Sequence, residues 1–131
     1  MRDDRFIKMQ EKFIYCSNSQ NNIDLYDHTF KFQRSLNINN QSILNVLEIN
    51  QQLLIISTST GEVFIFEMKL YSVLKLVQMN SLMNDLVQVE KDRVVMPLSN
   101  GQIFAFDLKT FQLDTLSQNS FYIRTIAINH Q

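Results

Sequence analysis

The sequence predicts an all-β chain made of repeated four-stranded antiparallel sheets, and three observations predict it. Apolar segments recur at a shift of 40 residues, each recurrence ends in an aromatic and then an acidic residue, and a turn-forming residue stands at one fixed place ahead of each. A fixed period of this length marks a repeat architecture, which has to be recognised before single elements are assigned.

In chain order, the first copy carries Phe6-Ile7-Lys8-Met9, matched by Val46-Leu47-Glu48-Ile49 and Leu86-Val87-Gln88-Val89, with Ile126-Ala127 opening a fourth copy. Next, Phe13-Ile14-Tyr15-Cys16 matches Leu53-Leu54-Ile55-Ile56 and Arg93-Val94-Val95-Met96. Ser19, Ser59 and Ser99 then share one repeat position, and Asn21, Gly61 and Gly101 follow two residues later. Asn and Gly most readily accept the positive φ of a tight hairpin, so the chemistry of the bend is kept. The third run is Ile23-Asp24-Leu25-Tyr26-Asp27, then Val63-Phe64-Ile65-Phe66-Glu67, then Ile103-Phe104-Ala105-Phe106-Asp107. In the second copy the strand-like runs fall at 44–49, 53–58, 62–67 and 73–77, strand-sized and separated by turns. Val63-Phe64-Ile65-Phe66 is continuously apolar, which suits a strand covered on both faces.

Up-and-down four-stranded sheets repeating at this interval are the signature of a β-propeller, whose blades pack face against face. The expectation is one domain over 1–131: blades at about 5–38, 44–78 and 84–118, plus one strand of a fourth at about 122–128. That is a partial or open propeller.

The units resemble WD40 repeats. Ser57-Thr58-Ser59-Thr60-Gly61-Glu62-Val63-Phe64-Ile65-Phe66-Glu67 and Ser99-Asn100-Gly101-Gln102-Ile103-Phe104-Ala105-Phe106-Asp107 stand where that family has its second hairpin and its Trp-Asp ending. Tyr26, Phe66 and Phe106 replace the tryptophan, and no Gly-His dipeptide precedes a first strand, so the family's Asp-His-Ser-Trp hydrogen-bond network is missing. The third unit is also similar to a quinoprotein-type repeat in Ala105-Phe106-Asp107-Leu108-Lys109-Thr110. Phe111 stands where that repeat wants glycine and Leu116 where it wants tryptophan, so quinone binding gains no support. The resemblance implies a non-catalytic scaffold or adaptor that holds protein partners within a larger assembly. It also implies a cytoplasmic setting, with cytoskeletal or ciliary assemblies among the users of such degenerate propellers.

Composition narrows the remaining classes. With 45% hydrophobic and 19% charged residues the chain has a globular balance. The net charge is -1, and Lys and Arg form no stripe, so the footprint of a nucleic-acid or anionic-membrane binder is missing. Apolar stretches such as Leu53-Leu54-Ile55-Ile56 fall far short of a membrane span of about 18 residues. A single cysteine, Cys16, makes no internal disulfide, and no apolar run behind Met1 reads as a secretory signal, so a reducing compartment is expected. The 13 Asn and 12 Gln fall between the apolar runs without forming a tract, which reads as polar filler and not as a prion-like segment.

Few residues offer chemistry. A strand through residues 24–28 sets Asp24 and His28 on one face, close to Asp27, an arrangement that could hold a metal. The repeat favours a structural role, because Asp27, Glu67 and Asp107 share the position after the third strand, where a carboxylate accepts backbone N–H groups of the next turn. The recurring serines lie in no nucleophile elbow and read as hairpin residues. Cys16 aligns with Ile56 and Met96 and reads as a small buried hydrophobe. Met79 and Met83 read as core filler. His130 lies at the terminus, and two glycines 40 residues apart form no phosphate loop. No catalytic, cofactor-binding or metal-binding residue is expected. Asp24 departs from the pattern, taking the place of Phe64 and Phe104, so the first blade presents a polar group on that face, as an end of a repeat array does.

Closed propellers have about four to eight blades. Three blades leave two faces uncovered, and such faces call for a partner. The expected partners are further blades, from the same longer protein or from another chain, with no nucleic acid and no membrane. The alternative function is a regulatory or substrate-recruiting propeller portion of a larger enzyme. Its sign would be charged or histidine clusters where the first strands begin, and those places carry Leu44-Asn45, Asn84-Asp85 and Arg124-Thr125.

Overall fold

The computed structural model describes residues 7–17, 22–37 and 42–117. Ser19, Asn21 and the expected strand at 122–128 lie outside them. The described residues form strands β1 (Ile7–Met9), β2 (Ile14–Ser17), β3 (Asn22–Tyr26), β4 (Phe32–Asn37), β5 (Ile43–Ile49), β6 (Leu53–Thr58), β7 (Glu62–Glu67), β8 (Ser72–Gln78), β9 (Val87–Glu90), β10 (Arg93–Pro97), β11 (Ile103–Asp107) and β12 (Gln112–Ser117). They make three antiparallel sheets, β1-β2-β3-β4, β5-β6-β7-β8 and β9-β10-β11-β12, each in sequence order. This is an open array of three propeller blades.

The period reaches down to single pairings. In the middle hairpin of each blade, Tyr15 faces Leu25, Ile55 faces Ile65 and Val95 faces Ala105, the same register three times. The backbone clasps repeat too: Ser59 N donates to Ser42 O (2.8 Å) and Ser99 N to Leu82 O (2.9 Å), while Met68 N donates to Gln52 O (2.9 Å) and Leu108 N to Asp92 O (2.7 Å).

Continuous apolar strands put their side chains alternately into two cores. On β6 and β7, Leu54, Ile56, Phe64 and Phe66 join Tyr15, Ile23, Leu25 and Leu36 of the first blade. The intervening Ile55, Val63 and Ile65 join Val94, Met96, Phe106 and Leu108 of the third. The middle blade is therefore covered on both sides. Burial of its strand residues supplies the main stabilisation, at roughly 25 cal/mol per Å² of apolar surface removed from water.

One strand departs from the repeat. β5 pairs Val46 with Ile56 and β9 pairs Gln88 with Val94, but β1 pairs Ile7 with Cys16, one residue out of step. The side-chain period is two, so a slip of one residue exchanges the faces. Ile7 and Met9, whose repeat equivalents Leu47 and Ile49 are at least half-buried, are exposed on β1. The physical reason lies in the turn. Four residues, 10–13, separate the paired Met9 and Ile14, against three between Ile49 and Leu53. Two of the four give their N–H groups to the neighbouring blade and not to their own hairpin.

Candidate functional site

The candidate site is the set of blade junctions and blade edges. The three aromatic positions stand at the end of the third strand of each blade, Tyr26 last in β3 and Phe66 and Phe106 next to last in β7 and β11. Phe66 and Phe106 are buried in the first and second junctions, whereas Tyr26 is half-buried and packs edge-on to Phe32 of its own blade, with ring centroids 5.7 Å apart. A phenylalanine here does the work of packing alone, since it has no N–H to place in a polar network.

The acidic residues that follow hold the next turn. Asp27 Oδ1 accepts from Thr29 N (2.9 Å), Thr29 Oγ1 (2.6 Å) and Lys31 N (3.0 Å). Asp107 Oδ1 accepts from Lys109 N (2.8 Å) and Thr110 N (3.1 Å), and Glu67 Oε2 from Leu70 N (2.6 Å). The Thr29 hydroxyl, and then the Lys31 amide, hold Asp27 below the ordinary carboxylate range, and the Thr110 and Lys109 amides do the same for Asp107. Asp27 and Asp107 are therefore ionised turn acceptors.

Gly61 and Gly101 have φ of 84° and 91°. A Cβ on Gly61 would stand 2.8 Å from Met79 O and 3.0 Å from Ser81 O, so that backbone admits only glycine. Ser59 and Ser99 contribute through backbone N–H groups, and Ser99 Oγ lies 2.6 Å from Ser81 Oγ. Side-chain bonding inside the two bends comes instead from Thr58 and Asn100, whose oxygens accept from Glu62 N (3.3 Å) and Gln102 N (3.0 Å).

The other residues singled out for chemistry are placed as follows. His28 Nε2 lies 2.9 Å from Gln10 O, a contact in which the ring N–H donates. Cys16 faces Asp24 across the hairpin, and burial, then the Asp24 charge, push its thiol up from the ordinary value, which disfavours the thiolate. Met79 and Met83 are buried in the second core. Among the described residues no three His, Cys, Asp or Glu side chains group as metal ligands, and no helix is long and apolar enough to cross a membrane.

Two features are not visible in the repeat pattern. The first is Glu48, a buried carboxylate on β5. It accepts from Lys12 N (2.8 Å), Phe13 N (3.0 Å) and Tyr15 Oη (2.7 Å), while Glu48 N donates to Gln10 Oε1 (3.0 Å). The second blade thereby fastens the wide turn of the first. Burial, then the hydrogen bond from its own hydroxyl to Glu48, push the Tyr15 phenol far above the ordinary tyrosine range. The only sign of this in the sequence is an acid where the other copies have Lys8 and Gln88. The second is the left-handed backbone at Tyr71 (φ 54°) and Phe111 (φ 58°), where an L-residue costs roughly 1–2 kcal/mol. Both rings pack onto the core shared with the preceding blade, and the Arg34 guanidinium carbon lies 3.8 Å from the Tyr71 ring centroid.

On the side of the third blade turned away from the second lies an open cleft of about 440 Å³, lined by Ala105 and by charged residues including Arg93, Asp107 and Asp114. The matching positions of the second blade, Leu53, Ile65, Glu67 and Leu74, are mostly apolar.

Comparison with known proteins agrees with this geometry. A family model described as the CFAP43 N-terminal domain matches residues 7–119; its description does not name a WD40 repeat. No curated protein matches the chain. Among solved structures, the β-propeller domain of Cps50 (Swd1) from Myceliophteria thermophila is similar at a TM-score of 0.72 and 10% identity, over 86% of this chain and 38% of that one. Saccharomyces cerevisiae Sqt1 is similar at 0.68 and 12% identity, over 79% of this chain and 30% of that one. The computationally designed Ika8 protein is similar at 0.72 and 16% identity, over 86% and 36%. The first two are β-propellers of the WD40 kind. The chain thus spans between 30% and 38% of the length of these three, and the likeness is one of fold.

Proposed function

The chain belongs to the CFAP43 N-terminal domain family, and from that premise we propose that it is a non-catalytic scaffold in a cilium-associated assembly. It is the blade-stack portion of a larger propeller, and its partners are proteins and not nucleic acid or membrane. Its setting is the cytoplasmic side of the cell's ciliary or cytoskeletal structures. The family's name supports the ciliary placement, and propellers generally serve protein–protein contacts.

The observation that carries the reading is the stack itself. Each junction buries an aromatic from one blade among the aliphatic residues of the one before, which makes a rigid frame. Loops and strand edges on such a frame are held in place for partners. The outer sides of the first and third blades have no fourth blade against them among the described residues, and further blades from the same longer protein or from another chain fit there.

Light scattering on the 131-residue chain over a concentration series tests the need for those blades. A defined assembly or concentration-dependent association is expected, and a folded monomer at every concentration would count against it. For the ciliary placement, the tagged protein expressed in ciliated cells is expected to stay with detergent-extracted axonemes together with other proteins. Full release into the soluble fraction, alone, would refute the scaffold reading.

A further inference from the structure

Strand β8 lies at the edge of the middle sheet, hydrogen-bonded to β7 on one side. A row of N–H and C=O groups therefore faces away from the sheet, which is a template for another strand. The side chains along this edge are unusually apolar for one in water. Val73, Leu74 and Leu76 are 51%, 47% and 50% exposed, and Leu70, in the turn that leads into the strand, is 76% exposed.

Within the edge segment itself the charge has one sign, the nearest carboxylate, Glu67, being engaged by Leu70 N. Between Met68 and Asn84 the chain has Lys69 and Lys75 and no acidic residue. Arg34 of the first blade stacks on Tyr71, which directly precedes Ser72, the first residue of β8, so a third cation stands at that end of the strand. The equivalent strand of the third blade differs, with Asp114 at the place of Leu74.

We propose that the free edge of β8 accepts an extended, acidic and apolar segment of a partner protein, added to the middle blade as a fifth strand. Backbone groups of the edge hold the incoming strand, its apolar side chains cover the exposed leucines and valine, and its carboxylates meet Lys69 and Arg34. The register of β8 against β7 shifts between Ile65 and Phe66 and leaves Leu74 out of the pairing, so the anchoring run is Lys75–Gln78. A second copy of this chain is the poorer occupant, because it brings no carboxylate in its own β8, and antiparallel pairing of two β8 strands about their centres sets Lys75 opposite its copy, a like-charge pair that is destabilising. The proposal deepens the scaffold reading and rests on it only in taking the partner to be a protein. The axoneme experiment above decides that reading separately.

The test uses three short fluorescent peptides with the 131-residue chain: one alternating valine and glutamate, one alternating valine and lysine, and the first N-methylated at alternate residues. The valine–glutamate peptide is expected to bind, about tenfold more weakly at high salt, and to slow hydrogen exchange at the amides of β8. The other two are expected to bind at least about tenfold more weakly. Leu74→Asp and Lys69→Glu, both at exposed positions, are each expected to weaken binding with an unchanged far-ultraviolet circular dichroism spectrum. Equal binding of the lysine or N-methylated peptide, retained binding in both variants, or no binding of any peptide would overturn the proposal. Self-association that Leu74→Asp abolishes, without peptide binding, would assign the edge to a second copy instead.

Discussion

The hydroxyl of Tyr15 donates to Glu48 Oε2 at 2.7 Å, across the junction between the first two blades. Both residues are buried, and the same carboxylate accepts the N–H groups of Lys12 and Phe13. Three donors thus depend on one side chain. Replacing it strands all three, and an unsatisfied buried donor costs about 1–3 kcal/mol. Glu48→Ala is expected to lower stability by about 3 kcal/mol or more in urea unfolding, and Tyr15→Phe by about 1–2 kcal/mol. Equal, small effects would show that the junction does not need the carboxylate.

The same pair sets a response to alkali. Burial first, then Glu48, raise the Tyr15 pKa above its ordinary value of about 10. The folded chain therefore holds this proton more tightly than the unfolded one. The contribution is complete below about pH 10 and is lost as pH rises past it. Tyr71 is raised too, by burial, so some slope persists without Tyr15. Urea midpoints measured from neutral to strongly alkaline pH are expected to fall less steeply in Tyr15→Phe than in the parent. Identical slopes would contradict the assignment.

Phe66 and Phe106 each fill a junction. Truncation of a buried phenylalanine costs about 3–5 kcal/mol, and Phe66→Ala and Phe106→Ala are both expected in that range. Phe32, 54% exposed on an edge strand, is the control, with a change of under about 1 kcal/mol. A loss at Phe66 as small as at Phe32 would mean the blades do not pack through it.

At Gly61 a methyl group meets two backbone oxygens and the backbone stands at positive φ. Gly61→Ala is expected to cost more than the roughly 1–2 kcal/mol of the left-handed conformation alone, while Ser59→Ala, two residues earlier and exposed, stays within about 0.5 kcal/mol. Thermal unfolding of the two variants side by side reads the difference, and similar melting temperatures would undo the steric account.

The blade architecture is legible in the sequence because stacked strands are buried on both sides, which forces continuous apolar runs such as Val63-Phe64-Ile65-Phe66, and because a bend at positive φ admits few residue types, which marks Gly61 and Gly101. The aligned positions of β1 suggest the same pairing as β5 and β9, yet the strand sits one residue out of step. A shift of 40 compares side chains and does not see the length of the turn at 10–13. Glu48 hides for a related reason: a lone acid between apolar residues reads as a side chain turned to water until the donors that surround it, 33–36 residues earlier, are in place. Tyr71 and Phe111 carry no sign of their left-handed backbone either, since aromatic rings there are held by contacts with another blade and not by local preference.

The Glu48 clasp has no counterpart at the second junction. There, Gln88 takes the same repeat position and its Nε2 bonds Lys91 O within its own blade, and the ties across the gap are dispersed: Asn50 Nδ2 to Lys91 O, 2.9 Å, and Asn45 Nδ2 to Met83 O, 3.3 Å. Mechanically the two joints are unlike. The first is a latch: several short bonds converge on one point, so it holds at full strength up to a small displacement and then releases all at once. The second spreads its hold over interdigitated apolar side chains, Phe106 and Leu108 among them, so no single point carries it. One substitution at Glu48 therefore undoes the polar tie of the first joint at a stroke, whereas the second loosens only when a packed side chain is lost.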